Sequence, residues 1–259
     1  MWKKILIAVV VIAAVAGAGL FILDRTIFAP AAVTTAVPVA PTIAAPAQAP
    51  TTAPAQPTAA PVATQAAALP TADAPAPAAS AATVYRIDAG QSEARYEVGE
   101  TFFQGNRFNL AVGRTKGIAG DVLVDFANPA NSQIGTIVID VSQLTSDESR
   151  RDNFIRNNAL QSSQYPQATF QPTKIEGLPD SAKPGDQLTL KVTGDLTVKQ
   201  TTRPVTFDVT LQADQDQLTG TATAEIQLSD FDAGPIQLAM LQTEDKAKLV
   251  FEFVALPAQ

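Results

Sequence analysis

Between residues 188 and 198 the chain alternates strictly. Leu188, Leu190, Val192, Gly194, Leu196 and Val198 take the even positions, and Thr189, Lys191, Thr193, Asp195 and Thr197 the odd ones. A period of two sends one set of side chains to a core and the other to water, which predicts a half-buried strand. Gly194 in the middle predicts a bend or bulge. The run 199–204 reads as a short turn, and 205–211 alternates again, so the two stretches predict a hairpin. The pattern returns at 218–228, with Ala222, Ala224, Ile226 and Leu228 on one face, and at 249–254, with Phe251 and Phe253 on one face. Further strands are predicted at 84–88, 94–98, 120–126, 136–141 and 168–175. Pro172 predicts an edge or bulge in the last of these.

The stretch 144–157 does not alternate. Ser146 and Ser149 stand early with acids, and arginines stand late, as in a short helix whose charges suit its dipole. About eight antiparallel strands with one short helix make either a barrel or a sandwich.

The first 82 residues carry no strand pattern. Residues 5–23 are uncharged, about the ~20 residues a helix needs to cross hydrocarbon. Lys3 and Lys4 precede this run, and Asp24 and Arg25 follow it. The positive-inside rule then puts the N-terminus in the cytoplasm and the rest outside, as a single-pass cell-membrane protein with a periplasmic or extracellular domain. A cleaved signal peptide is the competing reading, with a usual apolar core of roughly 7–15 residues. Residues 29–82 cycle through Ala, Pro, Thr, Gln and Val, and eleven of the 19 prolines fall between Pro30 and Pro77. Such a stretch buries too little surface to offset its chain entropy and reads as a disordered, semi-rigid linker. The chain thus divides into an anchor (1–28), a linker (29–82) and a β domain (83–259).

Charge narrows the partners. The net charge is −7, and from Thr83 onward there are 15 Lys/Arg against 23 Asp/Glu. An acidic domain without a basic run is a poor nucleic-acid binder, so none is expected. It also gains nothing from anionic lipid headgroups, which leaves membrane attachment to the N-terminal helix. The chain has no Cys and no His. Thiolate or imidazole zinc sites, Cys nucleophiles, Ser-His-Asp catalysis and His-ligated haem are excluded. No cofactor is expected and the chain reads as a non-enzyme. Asp230 and Asp232 flank Phe231 and could pair as acid and base, but capping of a loop is the plainer reading.

Several runs resemble one family. They are Arg151-Asp-Asn-Phe-Ile-Arg-Asn-Asn-Ala-Leu160, Tyr165-Pro-Gln-Ala-Thr-Phe170 and Gly194-Asp-Leu-Thr-Val-Lys-Gln-Thr-Thr-Arg-Pro-Val205. Together with Tyr85-Arg-Ile-Asp88, Ser92 and Ser229-Asp-Phe231, they are similar, in order, to the motifs of YceI-like domains. The resemblance spans about 84–256. It departs from the family pattern at Gln91, often His there, at Gln200 and Asp232, often Gly, and through 101–116. It implies an all-β, lipocalin-like, eight-stranded antiparallel barrel with a long apolar interior. Some members hold a polyisoprenoid chain inside the barrel and several are dimers, so an apolar lipid and a second copy are the partners it implies.

A small barrel is either filled by its own side chains or left open for one ligand. The inward set would comprise Leu190, Val192, Leu196 and Val198 on one strand and Phe207 and Val209 on the next. Ala222, Ala224, Ile226 and Leu228 would follow, with Phe170, Phe251 and Phe253 from the flanking strands. Small side chains at 220, 222 and 224 would leave room. The same periodicity also describes an ordinary filled core, which would make the chain a structural or adhesion β-sandwich on a stalk. Arg150, Arg151, Asp152 and Arg156 lie in the helical segment and could contact a polar head group, with Arg151 and Arg156 as the leading candidates, or else Arg151 and Asp152 fix the helix to neighbouring strands.

Overall fold

The computed structural model describes residues 37–43 and 82–258. The predicted membrane helix lies outside the described residues, as does most of the linker. Among the described residues no helix is long and apolar enough to cross a membrane.

The hairpin read from 188–211 is the longest ladder. Strand β9 (Asp186–Val198) pairs with β10 (Thr201–Ala213) without a break, from Thr201 opposite Val198 to Ala213 opposite Asp186. The turn between them is Lys199-Gln200 alone, with Lys199 at φ 54°, rather than the predicted 199–204. A two-residue hairpin turn needs positive φ to match strand twist, and Pro204 is carried inside β10 opposite Asp195. Gly194 has a packing role. A Cβ there would stand 2.4 Å from the Gln171 carbonyl and 2.7 Å from the Phe170 ring. The neighbouring strand β8 (Gln167–Glu176) bulges between Pro172 and Lys174 against β9.

From β10 the sheet continues through β11 (Leu218–Gln227) to β12 (Leu241–Pro257). The end of β12 pairs with β1 (Thr83–Ile87), and its first part with β2 (Glu93–Phe102). β2 pairs with β3 (Arg107–Thr115). The chain then runs through β4 (Ile118–Ala119), β5 (Asp121–Val124), β6 (Gln133–Ile134) and β7 (Ile137–Asp140). β5 pairs with both β1 and β6, while β4 pairs with β7, and β7 with β8. Because β4 leads into β5 and β6 into β7, the sheet curls back on itself into a barrel-like shell. All the described pairings are antiparallel.

β3 has no counterpart in the sequence reading, and its side chains show why. Its inward positions are Ala111, Gly113 and Thr115, whereas Phe108 and Leu110 stand exposed. The usual contrast of large apolar inside and polar outside is reversed. The inward space belongs to the partner strand. Tyr96 lies opposite Gly113, and a Cβ on Gly113 would fall 2.1 Å from the Tyr96 ring.

One end of the shell is solid. Tyr85, Ile87, Ile118, Ile137, Ala213, Leu218 and Ala255 pack there. The Tyr85 hydroxyl donates to the Asp214 carbonyl at 2.9 Å. The non-alternating segment forms a six-residue helix, α1 (Ser149–Phe154), continued by a π-helical turn at 155–159. Its N-cap is Glu148, whose carboxylate accepts from the Arg150 amide. Ser146 instead donates to the Asp152 carboxylate at 2.6 Å. The Asp230/Asp232 pair sits on a tight turn, with Asp232 at φ 52°. That is the left-handed region where the family pattern often has Gly.

Candidate functional site

The inward faces of these strands do not meet. They leave a cavity of about 630 Å³, within the roughly 300–1,000 Å³ range of small-molecule sites. Its wall runs from Ile87, Val122 and Ile134 near the solid end to Leu228, Phe231, Leu238 and Met240 at the other. The lining is overwhelmingly aliphatic and aromatic. Phe170 and Phe207 meet edge to face with centroids 4.9 Å apart, and Phe251 and Phe253 lie 5.3 Å apart.

Most of the predicted inward set lines this space: Phe170, Val192, Leu196, Val198, Phe207, Val209, Ala222, Ile226, Leu228, Phe251 and Phe253. Two do not. Leu190 is buried in a cluster with Val192, Val209 and Ala222, and Ala224 in one with Leu196, Val205, Phe231 and Ala233. At those two points the interior is filled by neighbouring side chains, so an inward direction does not reach the void.

Polar groups gather where α1 meets β2. Glu100, Asp147, Glu148, Arg150 and Arg151 all contribute to the wall there. Arg151 holds Glu100 through a two-pronged pair and also bonds Asp147 and Ser146. The guanidinium therefore keeps its proton even more firmly than usual: burial opposes this, and Glu100 and Asp147 outweigh it. Tyr96 lines the same region, and burial raises its hydroxyl pKa well above the ordinary phenol value. Arg150 also lines the cavity and makes no ion pair among the described residues.

Arg156 stands apart from the cavity. It is buried, donates to the Leu144 carbonyl at 2.6 Å and to the Asn153 side chain at 2.9 Å, and so ties the π-helical turn to α1 and to the segment between β7 and α1. Of the two predicted head-group residues, only Arg151 lines the void, and it is already engaged. Arg150, from the same helical segment, also reaches the void.

The wall also uses parts of the chain outside the predicted strands. Phe102 and Ala111 come from the β2–β3 hairpin, and Ile236, Leu238 and Met240 from the lead into β12. The last three alternate with Gln237 and Ala239, a two-residue period that was present in the sequence. Phe103, Phe108 and Met240 are exposed beside this end, and the Phe103 amide donates to the Met240 carbonyl. Among the described residues no cluster of acidic side chains could hold a metal ion.

Residues 85–255 match the model of one protein family, described as the YceI-like domain. A protein named YceI from Escherichia coli O157:H7 is 29% identical over 167 residues, covering 60% of this chain and 81% of that protein. Among solved structures, a polyisoprenoid binding domain from Saccharophagus degradans, implicated in plant cell wall breakdown, superposes with a TM-score of 0.51 at 12% identity. That match covers 68% of this chain and 99% of the other. BcnA from Burkholderia cenocepacia aligns with a TM-score of 0.49 at 22% identity, over 65% of this chain and 98% of that one.

Proposed function

The chain belongs to the YceI-like family, and from that premise and the cavity we propose that it is a membrane-tethered, extracytoplasmic carrier of an apolar isoprenoid-like lipid. The cavity is the observation that carries this reading. A sandwich with a filled core would have its Phe and Leu side chains meet across the centre. Here they face a space of about 630 Å³. The shared fold with a Saccharophagus degradans domain described as polyisoprenoid binding supports the same ligand class.

The energetics suit a passive carrier. A lipid tail burying ~600 Å² of apolar surface gains roughly 15 kcal/mol gross at about 25 cal/mol per Å². Ordering the tail removes much of this, which leaves binding that is firm but reversible. The charged end gives the lipid an orientation. The tail lies between Phe170, Phe207 and Phe251, and the polar head rests near Arg150 and Arg151. No proton transfer or covalent step is needed. The predicted membrane helix at 5–23 keeps the carrier beside the membrane from which such a lipid would come.

Native mass spectrometry of the full chain, extracted from cells in mild detergent, tests the reading. The expected result is a mass increment of one apolar lipid per chain. A ligand-free chain that also fails to take up added polyprenyl phosphates and quinones would overturn it.

A further inference from the structure

Most of the linker lies outside the described residues, but one short piece of it is seated on the domain. In the segment 37–43, Pro38 is buried and Ile43 is half-buried. Ile43 is the one isoleucine between residues 29 and 82. Its amide donates to Asp121 Oδ2 at 3.3 Å. Its side chain lies 3.2 Å from where a Cβ on Gly135 would stand, so the missing side chain there makes the seat. The seat is rigid. Asp121 is buried, its carboxylate is held by Arg86 at 2.9 and 3.2 Å, and its carbonyl accepts from the Gly135 amide.

We propose that this seat is a docking site for the chain's own segment 37–43, which pins the linker partway along its length. The chemistry fits a weak, specific contact. Pro38 and Pro41 pre-set the backbone and lower the ordering cost. One aliphatic side chain enters a glycine gap, and one amide meets a fixed carboxylate.

The consequence is a change of reach. With the segment docked, only residues 24–36 separate the predicted membrane helix (5–23) from the domain, roughly 40 Å at ~3.1 Å per residue. Residues 44–82 become a closed excursion that leaves and rejoins the same domain. With the segment released, the full stretch 24–82 could extend to roughly 180 Å. Docking thus sets how far the domain stands from its attachment point. It does not depend on which ligand fills the cavity.

The absence of native cysteine makes a direct test possible in the full chain. Ile43→Cys with Gly135→Cys should form an intrachain disulfide about tenfold faster than Ala66→Cys with Gly135→Cys, which shares the same tether. Equal rates, or a product linking two chains, would overturn the proposal. Amide exchange in the unmodified chain gives a second reading that leaves Gly135 intact. The Ile43 amide should exchange about tenfold more slowly than its intrinsic rate, and exchange at the intrinsic rate would overturn the proposal equally.

Discussion

Arg151 grips Glu100 with two parallel hydrogen bonds, Nε to Oε1 at 2.9 Å and a terminal nitrogen to Oε2 at 3.0 Å. The pair joins α1 to β2 at the polar end of the cavity, with side chains only 12% and 6% exposed. Removing one partner strands the other's charge in a site poor in water. Arg151→Met should therefore lower stability by about 3 kcal/mol. The double change Glu100→Gln with Arg151→Met should recover a large part of that. Urea unfolding of the wild-type, single and double variants measures both values. A single variant as stable as wild type would mean that the pair is not desolvated in solution.

Tyr96 predicts a pH dependence. Burial is the main cause of its raised pKa. Arg151 opposes the shift, and Asp152, Glu100 and Asp147 add to it. The folded chain keeps the phenol proton at a pH where the unfolded chain has lost it. This contribution is complete below the unfolded value of about 10 and is lost as pH rises through the folded value. The urea midpoint should fall between about pH 10 and 12, and Tyr96→Phe should flatten that fall. Tyr85, whose pKa is also raised by burial, leaves a residual slope. Identical slopes for the variant and the wild type would show that Tyr96 ionises freely.

Ala222 tests the cavity. It lies opposite Phe251 and lines the void. Ala222→Trp should fill much of the space and lower the lipid recovered per chain at least fivefold. Overpacking should cost about 1–3 kcal/mol, with the β-sheet circular dichroism unchanged. Full lipid recovery from a folded variant would place the ligand elsewhere.

The predicted anchor has its own measurement. The domain is acidic, so its attachment should depend on residues 1–28. The full chain should sediment with membranes, and a chain lacking those residues should stay in the supernatant. Co-sedimentation of the shortened chain would reveal a lipid-binding surface on the domain itself, and the exposed Phe103, Phe108 and Met240 would be the first place to look.

Strand identity was legible wherever large apolar and polar side chains alternated. The β9–β10 hairpin, β11 and the Pro172 bulge follow from local pattern, because the two faces of a strand are set by the pleat alone. The order of the family motifs added the barrel. β3 escaped because its inward residues are small and its outward ones large, a reversal that makes sense only once Tyr96 is seen lying over Gly113. The helix was placed a few residues early, since Ser146 resembles a cap but is drawn to Asp152.

The chain's own pattern determined which residues turn inward, that the domain is acidic, and that thiol and imidazole chemistry is absent. Tertiary structure decided what an inward side chain meets. Leu190 and Ala224 face neighbours while Val192 and Ala222 face a void, although Leu190 and Val192 share the alternation of β9 and Ala222 and Ala224 that of β11. The same holds for the three arginines of the helical segment: among the described residues Arg150 makes no ion pair, Arg151 is clasped by Glu100, and Arg156 is buried and bonded to the Leu144 carbonyl. Such differences depend on the distance between strands far apart in sequence, and a local period carries no information about that distance.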